Sequence, residues 1–466
     1  MRYLITLVLA ASAMVLTTGP AQADLGDQLF KLLADDGAPN DYFGFSVAIT
    51  GETAIVGANY DVDNGVGSGS AYLFDTTTGR QLFKLLPNDG AADDRFGRSV
   101  AISGPPGMEV AIVGAYRDED NGDRSGSAYL FDTTTGRQLF KLLPNDGALG
   151  DEFGWSVAIS GTTVIVGALR DDDNGIQSGS AYLFDTTTGR QIAKLLPAAG
   201  AANDLFGISV AISGPPGNET IIVGAIGDDD NGPGSGSAYL FDATTGRQLF
   251  KLLADDGALG DEFGWSVAIS GTTAIVGAQG DDDNGNLSGS AYLFDTTTGR
   301  QLYKLLPNDG AAEDLFSHFV AISGTTAIVG AFNNDDDNGN NSGSAYFFDT
   351  TTGVQIAKLL PDDGAAYDHF GETVAISGAT AIVGAHQNDD NGADSGSAYL
   401  FDAAVPGTCP WDVNGDGVVN HHDIVEVVHN LGVCDDPDNC PWDVNADGIV
   451  NGRDVAAVAT HFGLCP

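Results

Sequence analysis

Two stretches near the C-terminus, DVNGDGVVNHHD (412–423) and DVNADGIVNGRD (443–454), place side-chain oxygens at positions 1, 3, 5, 9 and 12. In the first stretch these are Asp412, Asn414, Asp416, Asn420 and Asp423; in the second, Asp443, Asn445, Asp447, Asn451 and Asp454. Gly417 and Gly448 stand where the chain must turn sharply, and the backbone carbonyls of Val418 and Ile449 follow at position 7. A ring of oxygens, with no nitrogen or sulfur, suits a hard cation the size of calcium. Asp at position 12 is shorter than the usual Glu but can still bind through both oxygens. Because the pattern that starts at Asp412 starts again at Asp443, it predicts two bound calcium ions.

A second kind of acidic loop recurs through the rest of the chain. Its D-x-D-N-G core supplies Asp61/Asp63, Asp118/Asp120, Asp171/Asp173, Asp228/Asp230, Asp281/Asp283 and Asp335/Asp337, and the last copy has Asn388 in place of the first Asp. Two carboxylates and a turn glycine are a beginning of a calcium site. The chain re-enters an apolar run soon afterwards, however, so the six to eight oxygens calcium wants are not all supplied locally. Solvated turns with Asx hydrogen bonding are the expectation, with further ions the alternative. The two loop types are different devices.

The elements that carry these loops repeat. FGFSVAI at Phe43 recurs, with drift, at Phe96, Phe153, Phe206, Phe263, Phe316 and Phe370, at nearly even intervals. The two longer units, those that start at Phe96 and Phe206, each carry an inserted SGPPG (103–107, 213–217). Each unit holds four apolar runs of strand length and chemistry, as in QLFKLL (138–143), SVAIS (156–160), TVIVGA (163–168) and SAYLFD (180–185). TVIVGA and SAYLF are apolar on both faces and need cover on both sides, which blades packed on neighbouring blades supply. The mid-strand lysine of QLFKLL reads as protection of an outer edge. Four strands in seven units predict a seven-bladed β-propeller. The array opens with a QLFKLL strand (28–33) and ends with SAYLFD (397–402), so the N-terminal strand completes the last blade and closes the ring. In such a blade the two acidic loop classes share a face. That face takes roughly two-thirds of the 64 acidic residues, with the arginines of TTGR near the opposite one.

The recurring FG pairs (Phe43-Gly44, Phe153-Gly154) and IVGA segments (55–58, 165–168, 382–385) resemble FG-GAP repeats, the propeller units also found in integrin alpha subunits. The resemblance covers about residues 28–402. It implies a propeller that recognises a ligand. The integrin-type calcium loop lies between the first two strands, where this chain has only SGTT or SGPPG. The sixth unit departs further, with Ser317-His318, which reads as drift.

An apolar helix is expected after each C-terminal calcium loop, at 423–432 and 454–463, and each stops at a glycine. This loop-helix, linker, loop-helix order, with EF-hand ligand spacing, resembles a type I dockerin over about 409–466. That resemblance implies binding to a cohesin-type module on a scaffolding protein, often in polysaccharide-degrading assemblies. It places partner contacts at positions 10 and 11 of each loop, here His421-His422 and Gly452-Arg453. The two pairs differ, which weighs against two equivalent binding orientations. A dockerin-like antiparallel packing of the helices implies disulfides Cys409–Cys465 and Cys434–Cys440; the within-half pairing Cys409–Cys434 with Cys440–Cys465 stays open.

Composition bounds the rest. A formal charge of −45 from 64 acidic and 19 basic residues repels nucleic acid and anionic membranes. Residues 1–23 have a basic start, an apolar run of ~13 residues where a membrane span needs ~20, and an Ala-x-Ala ending, the layout of a secretory signal. The expected order is signal 1–23, propeller 24–404, linker 405–408 and calcium domain 409–466, in a secreted, extracellular, periplasmic or cell-surface protein. All four cysteines fall within that last domain, as in a disulfide-stapled exported module. No HExxH, GxSxG or phosphate-loop motif occurs. A secreted, non-catalytic protein that binds a protein or glycan is therefore expected. The alternative is a carbohydrate-active enzyme, of hydrolase or lyase type, or an accessory protein in polysaccharide breakdown.

Overall fold

The computed structural model describes residues 24–335 and 338–404 and, beyond them, Val418–Val419, Val427, Gly432–Val433, Ile449–Val450 and Gly463–Leu464. The chain falls into two compact units, Leu25–Val405 and one that carries Pro406–Pro466.

Leu25–Val405 is an all-β propeller of seven four-stranded antiparallel sheets. In the third blade Phe153–Ser160 lies innermost, followed outward by Thr163–Ala168, Ser180–Asp185 and Arg190–Leu195. The seventh blade is built from Thr373–Ser377, Thr380–Ala385 and Ser397–Asp402, and its outermost strand is the N-terminal Gln28–Leu32. The complementary offset of the two ends of the array thus closes the ring, as expected from the order of strand types.

Apolar residues on both faces of one strand serve two different cores. Leu73 packs with Phe96, Val113 and Phe131 of the next blade. Its neighbours Tyr72 and Phe74 pack with Ile382 and Leu400 of the blade before. Every such side chain is fully buried, at about 1.5–3 kcal/mol each. Glycine sets how closely blades approach. A Cβ on Gly167 would collide with the Gly207 carbonyl oxygen of the next blade. Gly154 has φ +89, and a Cβ there would collide with the Ser127 carbonyl oxygen. The sixth blade places Ser317 at that second position with φ 73. Its hydroxyl is absorbed by donating to the Ser290 carbonyl at 2.6 Å and accepting from the Ala278 amide at 3.1 Å.

In the second unit, Val418–Val419 pairs antiparallel with Gly463–Leu464, and Gly432–Val433 with Ile449–Val450. Each calcium loop is therefore joined to the end of the other half's expected helix, a crosswise arrangement. Val427, within the first of those helices, is helical and buried. Apart from Val418 and Ile449, the candidate calcium ligands, His421, His422, Gly452, Arg453 and the four cysteines lie outside the described residues.

Candidate functional site

The seven units are so alike that the positions where they differ stand out, and the fold gathers those positions. The third residue of each F-G-x-S-V-A-I segment is Phe45, Arg98, Trp155, Ile208, Trp265, His318 or Glu372. It lies within two residues of the start of the innermost strand, beside the axis. The residue after each I-V-G-A is Asn59, Tyr116, Leu169, Ile226, Gln279, Phe332 or His386. It leaves the second strand at the same end. The residue before each FG pair is Tyr42, Arg95, Glu152, Leu205, Glu262, Leu315 or His369, and all seven have φ between 51 and 61. Left-handed backbone at a non-glycine residue is costly and concentrates at functional positions. Three variable rings on a constant scaffold form one mouth, on the face that carries the acidic loops.

The mouth divides into sectors. In blades one to three, the Arg98 guanidinium lies 4.2 Å from the Trp155 ring centroid and 5.0 Å from that of Phe45. Arg95 stacks on Tyr60 at 3.6 Å, and Tyr116 meets Trp155 edge-on at 5.0 Å. Leu169, Ile208 and Ile226 form an apolar patch flanked by Trp155 and Trp265. In blades five to seven, rings run in succession from Trp265 through His318, Phe332 and His369 to His386 at centroid separations of 5.2, 4.6, 5.4 and 5.7 Å. Aromatic faces of this kind offer apolar area with little conformational freedom to lose on binding.

Hydrogen bonds fix the polar members. Gln279 donates through Nε2 to Glu262 at 2.7 Å, so its Oε1 faces His318 Nδ1 at 2.6 Å. Burial lowers the His318 pKa to about 4, so the ring is neutral near pH 7. Nδ1 must then carry the proton, and Nε2 is left as an acceptor. Glu372 lies 2.5 Å from His386 Nδ1. Burial opposes its ionisation, but the surrounding histidines hold its carboxyl below the usual range. Burial raises the Glu152 carboxyl despite nearby arginines, and Arg170 pairs with it at 3.0 Å.

Below the mouth an axial cavity of about 150 Å³ is lined by all seven blades. Its upper wall includes Arg98, Trp155, Trp265 and His318, and beneath them lie Ser46, Ser99, Ser156, Ser209, Ser266 and Thr373. These hydroxyls staple blade to blade. Ser46, Ser156 and Thr373 donate to the carbonyls of Gly97, Gly207 and Gly44. Ser99, Ser209 and Ser266 instead accept from the amides of Val157, Val267 and Val320.

The D-x-D-N-G loops are not solvated turns throughout. The first Asp is buried in blades one to five. In the third blade, Asp171 accepts from Tyr182 at 2.8 Å, Ser180 at 2.8 Å and Lys194 at 2.9 Å. Lys194 also reaches Asp173 at 2.6 Å and Asp146, from the preceding inter-blade loop, at 2.9 Å. The lysine of the outer strand, expected to guard an edge, turns in and serves as the cation. Among the described residues no cluster of three or more His, Cys, Asp or Glu side chains is placed to hold a metal ion. In the sixth blade the buried position belongs to Asn334, not to Asp335 as the motif suggests. Asn334 accepts from Ser344 and donates to Asp314, as Asn388 does with Ser397 and Asp368 in the seventh.

Sequence reasoning singled out the loops and passed over the mouth, treating His318 as drift. The usable signal was variation at one fixed place in a unit otherwise repeated almost verbatim.

No curated protein matches the chain. Residues 410–463 match the model of the Dockerin type I domain, and type I dockerins bind calcium and cohesin modules. The oxygen-only donor set of the two C-terminal loops fits that ion. No helix among the described residues is long and apolar enough to cross a membrane. The FG-GAP repeat model matches seven times, over 27–74, 80–131, 137–184, 190–241, 247–294, 300–348 and 354–401. Those seven matches span the whole propeller and most of the chain, which therefore belongs to the FG-GAP repeat family.

Proposed function

We propose that this is a secreted, non-catalytic recognition protein whose propeller binds ligand at the axial mouth and whose C-terminal domain tethers it to a cohesin-type partner. The observation that carries the reading is the convergence of the variable residues. Phe45, Arg98, Trp155, Ile208, Trp265, His318 and Glu372 occupy one position in seven units, beside the axis, and five of them line the cavity wall. A purely structural ring would need the same residue seven times, as it uses Tyr72 and its six equivalents in the core. In this reading the propeller spans 24–404, a linker spans 405–408, and 409–466 holds two calcium ions through Asp412, Asn414, Asp416, Val418, Asn420 and Asp423 and their counterparts 443–454. His421, His422, Gly452 and Arg453 would face the partner.

The reading is tested by screening the full chain against glycan and peptide arrays, with Trp155→Ala and His318→Ala variants beside it. Binders lost in both variants support the mouth; binders indifferent to both place recognition elsewhere. A second reading, an enzyme acting on polysaccharide, draws on Glu152, whose carboxyl is raised by burial and keeps one oxygen unpaired among the described residues. Shortened or unsaturated products from any bound polysaccharide would favour it.

A further inference from the structure

The distribution of the few basic residues gives the mouth a chemical preference. Within the propeller the lysines belong to the outer strands and Arg80, Arg137, Arg190, Arg247 and Arg300 to the TTGR turns. The remaining arginines are Arg95, Arg98, Arg117, Arg124 and Arg170, and all five fall in the mouth-side segments of blades two and three. On a face crowded with carboxylates they make one basic sector. Arg95 and Arg117 pair with Asp93 at 2.7 and 3.0 Å, and Arg170 pairs with Glu152. Arg98 and Arg124 have no side-chain ion pair or hydrogen bond among the described residues, and of the two only Arg98 lines the axial cavity, against the faces of Trp155 and Phe45. Burial lowers its pKa, with Tyr116, Glu372 and Glu152 opposing from a distance. A partly buried guanidinium whose donors meet no acceptor among the described residues is open to a ligand, and its planar fork matches a carboxylate.

We propose that the axial mouth binds an acidic glycan, with the carboxylate of a uronic acid residue held by Arg98 and the sugar ring seated in the axial cavity. The proposal rests on the mouth being the ligand site. A cavity of about 150 Å³ holds one six-membered ring. Trp155 and Trp265 on its wall suit the C–H face of a sugar. Ser99, Ser209 and Ser266 line the same cavity, each accepting a backbone amide and donating to no described residue, so three hydroxyl protons remain for sugar or carboxylate oxygens. A peptide would need unpaired backbone edges, and on the innermost strands the free-edge amides of Val157, Val267 and Val320 are already taken by serine hydroxyls.

The test is calorimetric titration of the full chain with hexuronate oligosaccharides of several linkages, each paired with its methyl ester. At least one acid form is expected to bind tenfold or more tightly than its ester. Arg98→Gln should erase that difference, and Trp155→Ala should weaken both forms. Equal binding of acid and ester, lost in Trp155→Ala, would overturn the acidic assignment and leave the mouth as the ligand site. Binding untouched by Trp155→Ala would overturn both. No binding of any uronate, or binding of a glutamate-rich peptide alone, would also overturn the proposal. Unchanged thermal melting of Arg98→Gln keeps a folding defect apart from a lost contact.

Discussion

The ammonium of Lys194 lies 2.9 Å from Asp171 Oδ2, tying the outermost strand of one blade to the loop between its second and third strands. Lys84–Asp61, Lys141–Asp118, Lys251–Asp228 and Lys304–Asp281 repeat the pair at 2.7–3.0 Å. The buried carboxylate of a motif that reads as a solvated turn is neutralised by a lysine of its own blade.

Replacing Lys194 with Met should therefore destabilise the propeller although the residue lies far from the mouth. Asp171 would be left buried and charged, at a cost of roughly 2–3 kcal/mol, under the full penalty for a buried orphan because Asp146 and Asp173 keep contact with water. Chemical denaturation of the variant and parent chains measures this. Melting of the parent propeller should gain nothing specific from micromolar calcium over sodium chloride.

Stability should peak in acidic solution. Burial raises the Asp41, Asp94 and Asp151 carboxyls to about 6 from 3.8. Between those values the native state holds protons that the unfolded chain has released, so stability falls as pH rises through about 6. Asp118, Asp171, Asp228 and Asp281 feel the same burial, but their lysines and hydrogen bonds leave them below 3.8. Their contribution is present above 3.8 and lost as pH falls below it. Melting temperature at constant ionic strength should therefore fall on both sides of a maximum near about pH 4.

Deleting residues 24–34 should open the ring. It removes the strand paired with Ser397–Asp402 and the Lys31–Asp363 contact at 2.6 Å, leaving a long apolar edge unpaired. Light scattering is expected to show aggregation, and melting should drop.

Chelating calcium should unfold 409–466 and leave the propeller transition in place, because coordination there contributes to folding itself. Calorimetry with and without chelator should resolve two transitions, one sensitive to chelator.

The blades, their order and the closure by Gln28–Leu32 were legible because strand chemistry was written seven times. The lysine was misread because a mid-strand charge looks alike whether it faces water or a carboxylate of a neighbouring loop. Asn334 was missed because one extra residue in the sixth loop shifts the D-x-D motif off the buried position. The mouth was invisible for a different reason. Arg98, Trp155 and His318 belong to the second, third and sixth units, far apart along the chain, and only ring closure brings them to one opening.

The most direct measurement uses tryptophan fluorescence. Trp155 and Trp265 are the propeller's two tryptophans, both on the cavity wall. In a full chain with Trp411→Phe and Trp442→Phe, saturation with a bound ligand should shift or quench emission at the same concentration that calorimetry gives for binding. Ligand binding of full stoichiometry with no change in that emission would contradict a ligand site at the axial mouth.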